Sequence, residues 1–377
     1  MKCVLANSGI HIRPNGDITM CCDQASLGLN TSDVNIQQAF HSNEFESVRL
    51  NLSNDKQDSS CNTCWKNENK GLGSSRTRFN QHHTDSEHIS HWDIRDDNLC
   101  NMSCRICGPY SSSMWNGEAL KHKEDSGYYH TPVSDTIVKS NLKSTKINTI
   151  EAFKENLPYC KSVYFAGGEP LLNDTHWEIL KILHENKMWD VHVRYNTNLM
   201  KTKYKGMDAL DMWKPFKRLS VSVSVDAVHE LAEYARTGTV WKQLEDNIKT
   251  LVQYHRVQAN ITTSLLTIHK LDETIQHLLD IGVQDVYYFN VLRTPVFMNI
   301  NLLPKSSKQL ILDNLNLKQF KNVHGYEHLY NILFEEPNNK IELIGKFKYY
   351  NEKLDTVRDT SLQSANPELW ELMYETD

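Results

Sequence analysis

Apolar and polar positions alternate most cleanly in the middle of this chain. Leu219, Val221, Val223 and Val225 fall on one face of an extended run, with Ser220, Ser222, Ser224 and Asp226 on the other. The asymmetry recurs over 191–198, where His192, Arg194, Asn196 and Asn198 share a face, and more weakly at Asn260, Thr262 and Ser264. Strands that are apolar on one side and polar on the other suit a barrel with helices outside and a ligand-holding interior. Six strand-like runs are read, near 89–95, 161–166, 190–196, 219–225, 259–266 and 285–291. Amphipathic runs of helix length lie between them at about 175–186, 240–256 and 272–280. The first opens on a capping box, Thr175-His176-Trp177-Glu178. Repeated strand–helix units predict an α/β fold with a parallel sheet and right-handed crossovers. Six strands fall short of the eight in a full TIM barrel.

Patterning divides the chain in three. Residues 1–86 contain five of the nine cysteines (Cys3, Cys21, Cys22, Cys61, Cys64), a hairpin signal around Pro14-Asn15-Gly16-Asp17, and a helical run near 35–50. Residues 87–295 hold the alternating units. Residues 296–377 lack cysteine and read as a helical extension, with runs near 305–322 and 340–358 started by Pro304 and Pro337. Neither an internal repeat nor a low-complexity segment is visible.

Composition narrows the classes. A chain of 377 residues with 39% apolar and 23% charged residues suits a globular protein with a sizeable core. No run of eighteen apolar residues exists, and Met1-Lys2-Cys3-Val4-Leu5-Ala6-Asn7 is too short and polar for a signal peptide, so a cytoplasmic protein is expected. The odd cysteine count, clustered at short spacings, points to metal ligation rather than a disulfide framework. The net charge of −6, without a dense basic stripe, argues against a nucleic acid as main partner.

The chemistry begins at Cys100-Asn101-Met102-Ser103-Cys104-Arg105-Ile106-Cys107. Thiolates at C-x3-C-x2-C spacing converge on one cube of iron and sulfide and leave one iron without a protein ligand, where a structural cluster has four cysteines. A zinc site or unrelated core cysteines are the plainer readings. Downstream, the strand Lys161-Ser162-Val163-Tyr164-Phe165-Ala166 runs into Gly167-Gly168-Glu169-Pro170. Its two glycines permit close backbone approach to a ligand, and Glu169 adds a carboxylate at the strand's end. Cysteine triad, glycine turn, Asn196 and Asn198, and Ser224 and Asp226 each follow or end a predicted strand, the rim where ligand sites form in parallel α/β folds. Turn chemistry is the plainer account of each alone.

Together the triad and the turn resemble the radical S-adenosylmethionine (radical SAM) superfamily over about residues 88–295. The resemblance implies a partial (β/α)6 barrel, a catalytic [4Fe–4S] cluster on Cys100, Cys104 and Cys107, and SAM at its free iron. It also places the backbone of Gly167, Gly168, Glu169 and Pro170 at SAM's amino group, and Asn196 and Asn198 towards the ribose and methionine. Ser224 would face the ribose or the carboxylate, and Arg236 the carboxylate, which a guanidinium engages bidentately. A surface salt bridge is the plainer reading of Arg236. One departure is Ile106, where the superfamily commonly has an aromatic residue. Asn290 and Arg293 are further candidate contacts, and no residue is given an acid–base role.

Cys61-Asn62-Thr63-Cys64 is a C-x2-C pair of the kind that zinc and iron–sulfur sites both use. Cys3 and either Cys21 or Cys22 would complete a four-thiolate site. Adjacent strand residues face opposite ways, so one of the two is excluded, and Cys21 is the expected ligand. Hairpin, helix and Cys-x2-Cys-Trp resemble the twitch domain, a shortened SPASM domain with one auxiliary [4Fe–4S] cluster, here placed N-terminally. The stretch from Cys64-Trp65-Lys66-Asn67-Glu68 to Ser74-Ser75-Arg76 carries the same resemblance. Zinc is the alternative metal. Cys160, before its strand, reads as a buried thiol away from the chemistry. The resemblance further implies a one-electron donor such as a flavodoxin or ferredoxin, and a peptide, protein or small-molecule substrate. A non-catalytic iron–sulfur or zinc protein of the same fold is the rival.

Overall fold

The computed structural model describes residues 2–71, 73–122, 143–317, 323–324 and 326–375. They fall into two compact units: the described residues within 2–99, 143–196 and 203–219, and those within 100–122, 197–202 and 220–375.

The first unit contains β1 (Gly9–Ile12), β2 (Ile18–Thr19), β3 (His91–Ile94), β4 (Ser162–Phe165) and β5 (His192–Thr197). Their order is β2-β1-β3-β4-β5. β1 and β2 are the expected hairpin, with Gly16 at φ 82° in its turn, and the other pairings are parallel. β1 thus extends the parallel sheet from the cysteine-rich end of the chain, which patterning had not suggested. A small hairpin, β6 (Lys203–Tyr204) and β7 (Met207–Asp208), lies apart from that sheet. The second unit contains β8 (Arg218–Ser224), β9 (Val257–Thr263), β10 (Asp285–Val291) and β11 (Val323–His324), joined in that order by parallel pairing where β9 to β11 are concerned and by the parallel pair β8–β9.

All six predicted strands are present within a few residues, and their alternation shows in burial. Along β8, Val221 and Val223 are buried while Ser220, Ser222 and Ser224 are half-buried, and β9 alternates throughout. The α/β class and the parallel sheet are as expected. Within each unit, the strand order among the described residues is linear, without closure into a ring.

Helix boundaries differ where caps decide them. The helix expected from 175 runs Asp174–Glu185, because Asn173 rather than Thr175 caps it, accepting from the amides of Thr175 and His176. The single helix expected near 35–50 is two, Ile36–Phe40 and Asn43–Ser53, the second capped by Ser42. The runs at 240–256 and 272–280 become Trp241–Leu251 and Leu271–Asp280. The extension is helical as expected, with Lys305–Leu317, Tyr326–Leu333 and Lys340–Arg358; the end of the run expected over 305–322 lies outside the described residues. Among the described residues no helix is long and apolar enough to cross a membrane.

Candidate metal centres

In the second unit the chain from Cys100 to Cys107 forms a loop with little regular structure, so neighbouring elements must fix its shape. Two amides are tied to the end of the helix His229–Ala235: Ser103 donates to the Thr237 carbonyl at 2.9 Å, and Arg105 to that of Ala235 at 2.9 Å. Gly238, at φ 105°, comes so near that a Cβ there would lie 2.7 Å from the Asn101 carbonyl. Ser113 accepts from the Cys100 amide at 3.2 Å, and the Trp115 indole donates to the Cys104 carbonyl at 3.2 Å.

The C-terminal extension supplies the remaining supports. Arg105, fully buried, sends its guanidinium to Asn351 (3.2 Å), Asp355 (2.5 Å), Thr360 (2.8 Å) and the Tyr234 carbonyl (3.1 Å). It also lies 3.7 Å from the centre of the Tyr234 ring. Tyr350 donates to the Arg105 carbonyl at 2.7 Å, and Arg358 to the Ser103 carbonyl at 2.8 Å while pairing with Glu118 at 3.0 Å. The helix Lys340–Arg358 therefore grips the cysteine loop at the residues between its cysteines. Sequence reasoning left this helix without a role; the charged Arg105 between two buried-type cysteines was the available signal.

Cys104 is buried, Cys100 and Cys107 half-buried, and the Cys104 and Cys107 thiols hydrogen-bond one another. That bond draws the Cys104 thiol below the ordinary thiol range, against burial and with help from the Arg236 charge, and pushes Cys107 well above it. Asn198 donates to the Asn101 side chain at 2.8 Å, lies 4.0 Å from the Cys100 sulfur, and accepts from the Met200 amide at 3.0 Å. Its side chain steadies the loop.

Arg236 is not a surface residue. Its side chain is 12% exposed and pairs at 3.0 Å with Asp226, itself 3% exposed, whose other oxygen accepts from the Thr262 amide at 2.8 Å. Burial opposes the guanidinium charge, but the Cys104 and Asp226 charges hold its pKa above the ordinary arginine value. Its Nε has no hydrogen-bond partner. A buried cation that interacts with Cys104 and Cys107, with a donor to spare, fits an anionic cluster and a carboxylate-bearing ligand. Ser224 stands half-buried at the end of β8. Asn290 donates to Thr262 at 3.2 Å, and Arg293 makes an exposed ion pair with Glu335 at 3.2 Å.

In the first unit the turn after β4 packs on the segment leading to the cysteines. Gly167 has φ 107°, and a Cβ on Gly168 would stand 2.3 Å from the Leu99 carbonyl. The Glu169 amide donates to that same carbonyl at 2.6 Å. The Glu169 carboxylate is buried and caps the short helix that begins at Pro170, accepting from the Leu171 amide at 3.1 Å. The glycines thus give close approach to protein backbone. Asn196 is half-buried near the end of β5.

The same unit gathers Cys3, Cys21, Cys61 and Cys64 around one small cavity, together with Trp65 and Arg76. Burial pushes the Cys61 thiol up to about 12 and raises Cys3 and Cys21 as well. Cys22 points elsewhere: it is exposed and hydrogen-bonds Asp93. The helix Ser75–His82 fixes Cys3 from both sides, since Asn80 accepts from the Val4 amide at 2.9 Å and donates to the Lys2 carbonyl at 2.8 Å. Arg76 pairs with Glu68 and lies 4.9 Å from the centre of the Trp65 ring. Asn80 lies beyond every motif and was missed. Among the described residues no three His, Cys, Asp or Glu side chains sit as a single metal ion requires. Four thiolates on one zinc, with bonds of about 2.3 Å, lie closer together than thiolates around a cube of iron and sulfide. Cys160 is buried, and burial raises its thiol far above the ordinary range.

Residues 98–282 match the family model of the radical SAM superfamily, and residues 3–65 that of SPASM, an iron–sulfur cluster-binding domain. This chain carries a radical SAM domain and a SPASM-type iron–sulfur domain. Its SPASM-type domain is N-terminal, as the cysteine layout suggested, and the two domains imply a [4Fe–4S] cluster with SAM and an auxiliary cluster. No curated protein matches the sequence. Among solved structures, native anSMEcpe with bound AdoMet is 14% identical, with 62% of this chain and 60% of that one covered, at a TM-score of 0.40. SuiB of Streptococcus suis is 13% identical over 90% of this chain and 75% of that one, at a TM-score of 0.41. SuiB bound to precursor peptide SuiA is 11% identical over 98% and 75%, at a TM-score of 0.35. The chain spans less than two thirds of anSMEcpe, and likeness this low transfers no function from these proteins.

Proposed function

We propose that this protein is a radical SAM enzyme acting on a peptide or protein. When bound, the cluster, given one electron by the donor, would supply the reducing power to cleave SAM's carbon–sulfur bond into methionine and a 5′-deoxyadenosyl radical able to take hydrogen from a substrate. The observation that carries this reading is the triad held beside buried Arg236 within the segment that matches the superfamily. Cys100, Cys104 and Cys107 would hold the cluster. Arg236, through its unpartnered Nε, would orient the methionine carboxylate; Gly167, Gly168, Glu169, Pro170, Asn196, Asn198 and Ser224 are the other proposed SAM contacts. Cys3, Cys21, Cys61 and Cys64 would hold the auxiliary [4Fe–4S] cluster. We assign 1–86 to the auxiliary-cluster domain, 87–295 to the barrel and 296–377 to the extension, with a flavodoxin or ferredoxin as electron donor. The peptide assignment rests on the SPASM-type domain, which often accompanies peptide modification.

Anaerobic reconstitution followed by dithionite and SAM tests the proposal. Wild type should release 5′-deoxyadenosine, and Cys104→Ala should release none; equal release, or none from either, would falsify it. Iron and sulfide counts of about eight each per chain support two cubane clusters, whereas about four with one zinc would replace the auxiliary cluster by zinc.

A further inference from the structure

Across β1, β3, β4 and β5 in the first unit, the strand register aligns His11, Asp93, Tyr164 and Arg194 in one row. The row carries more positive charge than the protein neutralises. Asp93 is the carboxylate acting on Arg194, and it is already engaged: Arg95 grips it bidentately at 2.8 and 3.0 Å, and His11 stands 3.3 Å away. The Arg194 side chain makes no hydrogen bond and no ion pair among the described residues. Its guanidinium carbon lies 4.8 Å from the centre of the Tyr164 ring and 5.9 Å from that of Phe79. Contact with ring faces leaves the edge of the guanidinium, with its N–H donors in a planar fork, unused. The Tyr164 hydroxyl beside it has no hydrogen-bond partner among the described residues either.

One row back, His91 and His192 flank Ser162 in the register. His91 is 3% exposed and its Nε2 has no partner. Burial first, and then the surrounding positive charges, hold His91 down at about 3 and His192 at about 4. Burial is the main reason these rings stay neutral, and the cations around them, Arg194 among them, act in the same direction. A half-buried guanidinium without a counter-charge is costly, and a planar oxyanion is what its free fork matches.

We propose that this face binds an oxyanion, a carboxylate or phosphate carried by the substrate, through the guanidinium edge of Arg194 and the hydroxyl of Tyr164. Calling the bound molecule a substrate rests on the radical SAM reading; the anion site rests on the unmatched charge alone. The test is titration calorimetry on the reconstituted full chain, with SAM saturating and ionic strength constant. The probes are inorganic phosphate, succinate, and a blocked peptide of three glutamates; the arm that binds tightest distinguishes phosphate, small carboxylate and peptide carboxylate as the source. At least one should bind wild type with 1:1 stoichiometry, and Arg194→Gln and Arg194→Lys should each weaken it about tenfold, as loss of a bidentate pair predicts. Lys249→Gln, on an outer helix, should bind like wild type. Circular dichroism and iron content establish that the variants fold, and Arg194→Lys, which keeps the charge, decides if Arg194→Gln does not. No binding by wild type, or equal binding by the folded Arg194 variants, overturns the site. Anion binding without 5′-deoxyadenosine formation sinks the radical reading and leaves the site; the reverse result sinks the site alone.

Discussion

At the scale of single residues, adjacent cysteines have been given different fates. Cys21 lines the cavity with Cys3, Cys61 and Cys64, whereas Cys22 is exposed and bonded to Asp93. Cys22→Ser should therefore keep the auxiliary cluster, and Cys21→Ser should lose it. Visible absorbance and iron per chain report this directly, and the reverse order would show that the cavity misassigns the ligand. Gly238 makes a second residue-level case. Its φ of 105° is strained for any side chain, and a Cβ would meet the Asn101 carbonyl at 2.7 Å. Gly238→Ala should cost about 1–3 kcal/mol, seen in urea unfolding, and should loosen the cluster held by the loop that Asn101 belongs to. An unchanged urea midpoint would show that the loop moves aside freely.

At the scale of elements, the helix Lys340–Arg358 supports the loop that carries the cysteine triad. Its Asn351, Asp355 and Arg358, with Tyr350, bind Arg105 and Ser103, the residues between the cysteines. Asp355→Ala leaves the fully buried Arg105 without its counter-charge, and removing one partner of a buried pair costs about 3–5 kcal/mol. Asn351 and Thr360 still accept from Arg105, so the lower end of that range is expected. The specific signature is iron content: about four irons should be lost from the triad while the N-terminal cluster stays. Loss of both clusters together would mean general unfolding instead. What patterning disclosed and what it missed divide along the same line. Period-2 alternation marked β8 and β9 because one face of each is more buried than the other, and short-range spacing marked both cysteine sets. The grip of this helix was not legible, because Arg105 and Asp355 meet across 250 positions and nothing local records that meeting. Asn80 beside Cys3 is the same case. Caps failed for a nearer reason: Asn173 also donates to Asp96 at 2.7 Å, a tertiary contact that fixes it as the cap before Thr175.

For the molecule as a whole, stability should depend on pH through histidines buried in the neutral state. His176 is 1% exposed, packed against Phe165, Trp177 and Tyr195, and bonded to the Tyr195 hydroxyl at 2.9 Å. Burial holds it down at about 3, against an ordinary value of about 6.5. The unfolded chain therefore takes up a proton there before the folded one does. The stabilising contribution is complete above about pH 6.5 and is lost as pH falls towards about 3, at up to about 1.4 kcal/mol per pH unit. Other groups act in the opposite sense: Asp97, pushed up to about 7 by burial and the Asp96 charge, destabilises as pH rises towards that value. The isolating measurement is a difference. His176→Gln should be less stable than wild type at pH 8 because the aromatic packing is lost. The gap between the two in urea unfolding, at equal cluster loading, should narrow by about 1.4 kcal/mol per unit between pH 6 and 5, since only wild type carries the reluctant proton acceptor. A gap constant across that range would mean that His176 is protonated within the folded core, which the surrounding rings and its unpartnered Nδ1 argue against.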